Sequence, residues 1–379
     1  MAHELDGVIP VFYEALNKVN AEPVGMLPAT VISARASAAS QGQAVRIPIT
    51  PMGSNEDITA GSMPTGSADT INTVEVTIQK IRRGAPIVWT GEEENAVSGS
   101  GVLDPIQVEQ YAQRIRALRN EMEADASAEV VASSVMAGNV VGTIGTNPFA
   151  SNTQALTEIL QKLEDNGAPL GELQAVLNTV SGRNIRNLAN LYKVNEAGDD
   201  SLLRRGLLGD LYGFSIRESA GMRHTKGTAT GYLVNGAASS GATSITIDTG
   251  SGTFKENDIV KFGSDTTLYV VAKDVASGGT KLELKNPLKA DVADDATITV
   301  QGYAPNACFA RGTVIMASRV PFVPSRGDNA LDRQIITDPL TGIPYELAVW
   351  GAPYQTTITI GTAWGFKNIK TENAFALLG

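Results

Sequence analysis

The sequence predicts an α+β fold in which a long helix and several β-sheets are interrupted by an inserted antiparallel domain resembling a β-barrel. Three observations favour this fold class. Residues 104–137 repeat apolar side chains at helical spacing. Segments on both sides of them alternate apolar and polar residues, as half-buried strands do. Residues 227–304 consist of short β-like runs separated by Gly, Asp, Ser and Asn, which is typical of a small barrel or sandwich.

The first 45 residues contain few apolar side chains of their own. A short helix is predicted within residues 5–19, and a run of small residues follows it. We expect this segment to be an arm that lies against something else, and the alternative is a disordered tail. The apolar face of the predicted helix comprises Val11, Phe12, Ala15, Leu16 and Val19.

Two strands, 43–49 and 73–81, are joined by a long polar segment, 51–69, and therefore predict an extended hairpin. A lone hairpin is marginally stable in water. We therefore expect support from another subunit, or a flexible lid. Arg82 and Arg83 at its base would be solvated or would contact an acidic neighbour.

The long helix has recognisable start and stop signals. Asp104 can cap the first free amides, Pro105 suits the first helical position, and Gln107 completes a capping box. Gly138 and Asn139 predict the end. At 1.5 Å per residue the helix is roughly 50 Å long. Its apolar stripe comprises Val108, Ala112, Ile115, Leu118, Met122, Ala126 and Val130.

The other side of this helix is charged, so we expect it to be solvated or to pair with another chain. It carries Glu109, Arg114, Arg116, Arg119, Glu121, Glu123 and Glu129.

After the helix, strand-like and helix-like segments alternate from about 150 to 225 and predict a small α+β domain. Residues 307–317 form a buried strand or helix. Two strands, 345–350 and 356–364, come near the end of the chain. A chain of 379 residues is long enough for two or three domains.

Composition argues against several functions. The net charge of −10 opposes sequence-independent nucleic-acid binding, which needs cationic side chains. Cys308 is the single cysteine, and His3 and His224 are the two histidines, so no Cys/His zinc site can be assembled. Cys308 is expected to be a small buried residue. The first residues lack the pattern of a secretory signal, and no apolar run reaches membrane-spanning length, which favours a soluble protein made inside a cell.

No catalytic, cofactor-binding or metal site is predicted, so the chain is not expected to be an enzyme. The phosphate loop, dinucleotide fingerprint and nucleophile elbow are missing. Glu92–Glu94 is more consistent with a solvated loop than with an acid–base pair. Asp291, Asp294 and Asp295 lack the spacing of a known calcium loop and indicate a surface turn.

The order of these elements resembles the major capsid (coat) protein of tailed double-stranded-DNA bacteriophages, which has the Hong Kong 97 capsid fold. It is most similar to the short-tailed phage coat proteins that carry an inserted β-domain. The segments that carry the resemblance are GQAVRIPIT, LLRRGLLGDLYGFSIRESAGM, NACFARGTVIMASRVPFVP, DPLTGIPYELAVWG and ENAFALLG.

The resemblance implies a division of the chain into an arm, a loop, two discontinuous domains and an insertion. These are an N-terminal arm (1–45), an extended β-hairpin loop (46–95), a peripheral domain (96–149) with spine helix 104–137, a first axial part (150–226), the inserted β-domain (227–304), a second axial part (305–345) and the C-terminal peripheral strands (346–379).

It also implies a structural subunit that self-assembles as hexamers and pentamers into an icosahedral head. The expected partners are other copies, a scaffolding protein, a portal and possibly decoration proteins; the shell would enclose double-stranded DNA without sequence-specific binding and would not contact a membrane. Assembly is expected in the bacterial cytoplasm, with expansion during DNA packaging, and the protein would reside in the virion. Some members carry a lysine–asparagine crosslink, but nothing identifies an acceptor for Lys80. The alternatives are a secreted or cell-surface β-rich adhesin and an enzyme with a β accessory domain.

Overall fold

The computed structural model describes residues 8–20, 22, 25–33, 39–49, 57–58, 60–61, 63, 72–98, 103–188 and 209–379. Most of the predicted hairpin tip, 51–69, and the arginine pair at 204–205 lie outside these residues.

The first part of the chain contains α1 (Val8–Asn20), α2 (Met26–Ala29), β1 (Val31–Ser33), β2 (Ala44–Ile49), β3 (Asn72–Thr77), β4 (Lys80–Arg83), β5 (Ile87–Thr90), α3 (Gly91–Ser98), α4 (Leu103–Ala137), β6 (Val140–Val141), α5 (Gln154–Asp165), β7 (Leu173–Leu177), α6 (Thr179–Arg186), β8 (Asp210–Leu211) and β9 (Phe214–Glu218). The second part contains β10 (Leu233–Val234), β11 (Ser244–Asp248), β12 (Ile259–Phe262), β13 (Tyr269–Val270), β14 (Lys281–Glu283), β15 (Ile298–Gln301), β16 (Pro305–Ala310), β17 (Val314–Arg319), β18 (Ala330–Thr337), β19 (Pro344–Ala352), β20 (Gln355–Asn368) and β21 (Ala374–Leu378).

The predicted spine helix is confirmed as α4. All seven residues of its predicted apolar stripe are buried. The helix ends as predicted: Gly138 has a φ of 83°, its amide donates to Val135 O, and the Asn139 amide donates to Ser134 O at 2.8 Å. This pair of bonds is a Schellman motif. The helix begins at Leu103, one residue before the predicted cap Asp104, whose side chain lies outside the described set.

The expectation that the charged side of α4 is solvated or pairs with another chain is wrong for two residues. Arg119 is 2% exposed and Glu123 is 4% exposed. They are buried because the N-terminal segment of the same chain folds over this part of the helix. Glu123, for example, accepts hydrogen bonds from the amides of Met26 and Leu27.

The predicted N-terminal helix is confirmed as α1, and all five residues of its predicted face are buried. The surface that covers this face belongs to the same chain: α1 packs on α4, with the rings of Phe12 and Tyr111 6.2 Å apart. Further along, β1 pairs in parallel with β17. Described residues of the predicted arm between Val8 and Ile32 therefore contribute to the main hydrophobic core.

Within the described residues, α4 packs against sheet 1, which contains β1, β17, β20, β19 and β18 in that order, with β4 and β5 also paired to β20. β20 spans 14 residues and so can pair with four other strands. Sheet 2 has the order β6, β21, β16, β7, β9 and β8. In the sequence, α5 precedes its strand β7 and α6 follows that strand.

The predicted boundary at 345/346 does not coincide with a change of sheet. β17 and β18, assigned to the axial part, lie in sheet 1 with β19 and β20. β21, assigned to the peripheral strands, lies in sheet 2 beside β16. Alternation of apolar residues indicates that a segment is a strand, but the choice of partner depends on contacts between distant segments.

The inserted β-domain is confirmed as an antiparallel unit with its own hydrophobic core. Its described strands form two small sheets, β10–β11–β14 and β13–β12–β15. Isolated bridges between Leu233 and Thr297 and between Val271 and Leu284 join the two sheets, which gives the unit its barrel-like form.

A buried carboxylate holds the neck of this domain. Asp258 is 0% exposed and accepts hydrogen bonds from the amides of Gly227 and Lys255, the latter at 2.7 Å. Its Oδ1 lies 2.7 Å from His224 Nε2. A Cβ at Gly227 would meet Thr253 O at 2.3 Å, so glycine is needed where the chain enters the domain.

Replacing Asp258 with alanine is expected to destabilise the inserted domain by about 2–3 kcal/mol, because the buried Gly227 amide and the partly buried Lys255 amide would lose a charged acceptor. Thermal and denaturant unfolding would measure the loss. Asp274→Ala is the matched control, because exposed Asp274 accepts one amide, that of Glu256. An effect of Asp258→Ala no larger than that of the control would contradict the role assigned to this carboxylate.

Candidate functional site

Of the residues that the structure describes, those that could react or bind a metal lie apart from one another. Cys308 is fully buried in β16, and burial raises the pKa of its thiol to about 12. Asp291 and Asp294 accept the amides of Ser240 and Gly236, so they connect two distant segments of the inserted domain. Among the described residues, no group of three or more His, Cys, Asp and Glu side chains could hold a metal ion.

In the part of the chain that the structure describes, no helix is long and apolar enough to cross a membrane.

The hairpin formed by β2 and β3 is the first candidate contact surface. Its register runs from Ala44–Thr77 to Ile49–Asn72, which confirms the predicted pairing as far as Thr77. The end of the predicted strand 73–81 belongs instead to β4, which pairs with β20. Val45 and Val76 are its buried residues within the two described strands. The hairpin therefore has little apolar contact of its own along most of its length.

The base of the hairpin is attached to the spine helix by an ionic cluster. Lys80 Nζ donates to Glu121 Oε1 at 3.0 Å and to Asp125 Oδ1 at 2.9 Å. Arg82 Nε lies 3.2 Å from the same Glu121 oxygen, so the acidic neighbour considered for Arg82 belongs to this chain. Trp364 Nε1 donates to Asp125 Oδ2 at 2.9 Å. Burial of Lys80 opposes its charged form, but the bonds to Asp125 and Glu121 prevail and raise its pKa.

The second candidate contact surface is the free edge of sheet 1. β18 is the terminal strand of the sheet, and no described strand pairs with its outer side. Its backbone groups on that side are available to another strand. Leu331 and Ile335 on this strand are 59% and 58% exposed. Nearby exposed apolar residues in the chain are Phe322, Val323, Leu340 and Tyr354.

An exposed apolar edge of this kind is a docking surface or an aggregation hazard. The same strand also carries a charged residue that is paired within the chain: Arg333 forms ion pairs with Asp328 and Glu346. Burial raises the pKa of Glu346, and the charge of Arg333 acts in the opposite direction. The strand is therefore built to present apolar side chains outward while its charged groups are paired within the chain.

The link between the N-terminal segment and the spine helix also contains an ion pair. Arg116 Nε donates to both carboxylate oxygens of Glu22, at 2.9 and 2.8 Å. Hydrogen bonding by Arg116 lowers the pKa of Glu22 even though partial burial acts against it. Glu22 lies between α1 and α2, so the pair fastens this connection to α4.

Acid is expected to loosen this connection. In the unfolded chain Glu22 has its ordinary pKa of 4.5, which is above the lowered pKa of the folded state. The ion pair therefore stabilises the fold fully above pH 4.5, and this stabilisation is lost as the pH falls through the folded pKa. Because both groups are partly exposed, Glu22→Gln should cost about 0.5–1 kcal/mol at neutral pH and almost nothing near pH 2. Unfolding free energies across this range would test the sign, with exposed Glu14→Gln as control. A cost that grows in acid would contradict it.

Comparison with solved structures identifies the fold. A structure from Mycobacterium phage Che8 matches with a TM-score of 0.51 at 12% identity, and the match covers 94% of this chain and 91% of that one. The chain has the Hong Kong 97-type capsid fold. In this fold α4 is the spine helix, and the β2–β3 hairpin belongs to the extended loop.

Two further matches are phage capsid structures with lower TM-scores. The capsid of cyanophage P-SCSP1u matches with a TM-score of 0.48 at 12% identity, over 94% of this chain and 88% of that one. The mature capsid of bacteriophage PhiM1 matches with a TM-score of 0.45 at 11% identity, over 94% and 87%. No family model and no curated protein matches the sequence.

Proposed function

We propose that this chain is a major capsid protein, the structural subunit of the icosahedral head of a tailed double-stranded-DNA phage. The observation that carries the proposal is the capsid fold, which extends over nearly the whole chain. The apolar outer edge of β18 supports it, because neighbouring subunits of an assembly can pair or pack at an open strand edge.

In this proposal, copies form hexamers and pentamers, and the shell assembles around a scaffolding protein with a portal at one vertex. It expands as DNA is packaged, and decoration proteins are possible additional partners. The protein has no enzymatic role, is assembled in the bacterial cytoplasm and resides in the virion. A net charge of −10 suits a shell that encloses DNA without gripping it.

The sheets suggest how the domain roles are distributed. Sheet 1 with α4 would form the peripheral domain, and sheet 2 with α5 and α6 would form the axial domain near the symmetry axes. The β2–β3 hairpin of the extended loop, 46–95, would lap a neighbouring subunit, because these two strands bury little in their own chain. The inserted domain, 227–304, would stand as a separate unit on its buried neck.

Sedimentation and electron microscopy of the expressed chain, with and without its scaffolding partner, test the function directly. Uniform hollow shells or rings of five and six subunits are expected. A chain that stays monomeric at high concentration in both preparations would rule the proposal out.

The role of the β18 edge has its own test. Replacing both Leu331 and Ile335 with aspartate should raise the concentration needed for assembly at least tenfold, because each apolar side chain contributes about 2 kcal/mol when covered. The subunit should still fold, since both side chains are exposed. Gln334→Asp adds charge to the same strand without removing an apolar group and is the control. Normal shells from the double variant at the wild-type concentration would show that this edge is not an interface.

A further inference from the structure

A cavity of 530 Å³ lies where the two sheets and the N-terminal segment meet. Arg217 on β9 and Arg311 just after β16 come from sheet 2. Thr341 comes from the turn before β19 in sheet 1, Asn20 from the end of α1, and Arg119 from the spine helix. Residues from both sheets and from two helices therefore share one space.

The charged residues that line this cavity are mostly cationic. Three arginines, Arg119, Arg217 and Arg311, line it, against one carboxylate, that of Glu22. The charge of Glu22 is already offset by the two-pronged contact with Arg116. The surplus positive charge therefore belongs to the three guanidinium groups.

Contacts of the two outer arginines leave donors free for a ligand. Arg217 Nε donates to Gln174 Oε1 at 3.1 Å, a neutral acceptor. Arg311 Nη1 lies 3.6 Å from Glu172 Oε2, and both side chains are well exposed, so this pair is weak. A guanidinium has five N–H donors, and these contacts use few of them.

Arg119 gives evidence for a bound ligand that is independent of the charge of the lining. It is 2% exposed, and its Nη1 donates to Asn20 Oδ1 at 2.7 Å. Asn20 in turn donates to Asp338 Oδ1 at 2.8 Å, so the nearest buried carboxylate is reached through a neutral amide. Its Nε and Nη2 have no hydrogen-bond partner among the described residues. A buried polar group without a partner is costly and usually signals an ion, a water or a ligand.

We propose that this cavity binds a small phosphate-like oxyanion from solution. Guanidinium groups bind such anions through paired, charge-assisted hydrogen bonds, which matches the three arginines around one space. The site is independent of shell formation, so it goes beyond the proposed function.

The position of the site determines what its occupation would do. Arg217 lies in sheet 2 and Arg311 directly after its strand β16, whereas Arg119 lies on α4, which packs against strands of both sheets. An anion held by all three would fasten sheet 2 to the spine helix. A ligand that binds this folded arrangement stabilises it in proportion to its concentration.

Inorganic phosphate is the probe, added to the full-length chain at constant ionic strength in a sodium chloride background. Calorimetric titration and the thermal unfolding midpoint are the two measurements. We expect saturable binding and a midpoint that rises with phosphate concentration, whereas chloride alone has no such effect.

Variants test whether the phosphate binds in this cavity. Arg217→Gln together with Arg311→Gln should weaken phosphate binding at least tenfold, and both positions are partly exposed, so folding should survive. Arg326→Gln, at an exposed position outside the cavity, should bind as the wild type does. Absence of binding at millimolar phosphate, or equal binding by the double variant and the wild type, would overturn the proposal.

Discussion

Replacement of Glu123 with alanine is expected to lower the free energy of unfolding by about 3–5 kcal/mol. Its Oε2 accepts the Met26 amide at 2.9 Å and the Ser219 hydroxyl at 2.6 Å, and its Oε1 accepts the Leu27 amide at 2.8 Å. All of these bonds are buried. Removing the carboxylate leaves three donors without an acceptor in the core.

The same change should also release the N-terminal segment, because α2 is held to the spine helix through these amides. Denaturant unfolding would give the free energy, and limited proteolysis would show whether residues 8–33 become accessible before the rest of the chain. Gln113→Ala is the control, since Gln113 is an exposed residue of the same helix. A loss below about 1 kcal/mol, as for ordinary surface changes, would contradict the anchoring role of Glu123.

Replacement of Gly365 with alanine is expected to cost about 3 kcal/mol and to displace the base of the hairpin. A Cβ at this position would lie 1.9 Å from Thr77 O and 3.1 Å from Gln79 N. These are main-chain atoms that cannot rotate away. Gly365 lies in β20, opposite Ala317 of β17, so the strand cannot retreat without losing its own pairing.

Thermal unfolding would measure the cost, and hydrogen exchange of residues 72–83 would report the movement of the hairpin base. Gly91→Ala makes the same chemical change at a position where no atom lies within 4 Å of the added carbon. If the two variants behave alike, the close approach of Thr77 to β20 is not what Gly365 permits.

Local patterns were sufficient for the individual elements. The stripe from Val108 to Val130 indicates α4 because a helix returns side chains to one face every three to four residues. Gly138 and Asn139 mark its end because a left-handed residue there allows the last carbonyls to be bonded. The alternation in 43–49 and 73–81 indicates the paired strands β2 and β3 in the same way.

Contacts between distant segments could not be inferred in this way. Glu123 and Arg119 have the same charged character as their solvated neighbours, and they are buried because distant segments, among them α2 and the residues around Ser219, pack over this part of the helix. The surface residues Arg217 and Arg311 have no recognisable spacing to Arg119, yet they line one cavity. No motif indicated these groupings.

The sequence by itself determined most of the helices and strands and the separate inserted domain, because these depend on periodicity and turn residues within short windows. The order of these elements carries the resemblance to a capsid protein. The tertiary structure alone decided which strands share a sheet, which charges are buried and where the base of the hairpin packs against β20. Those features arise from pairings across hundreds of residues, in which the packing of one segment changes the surroundings of another.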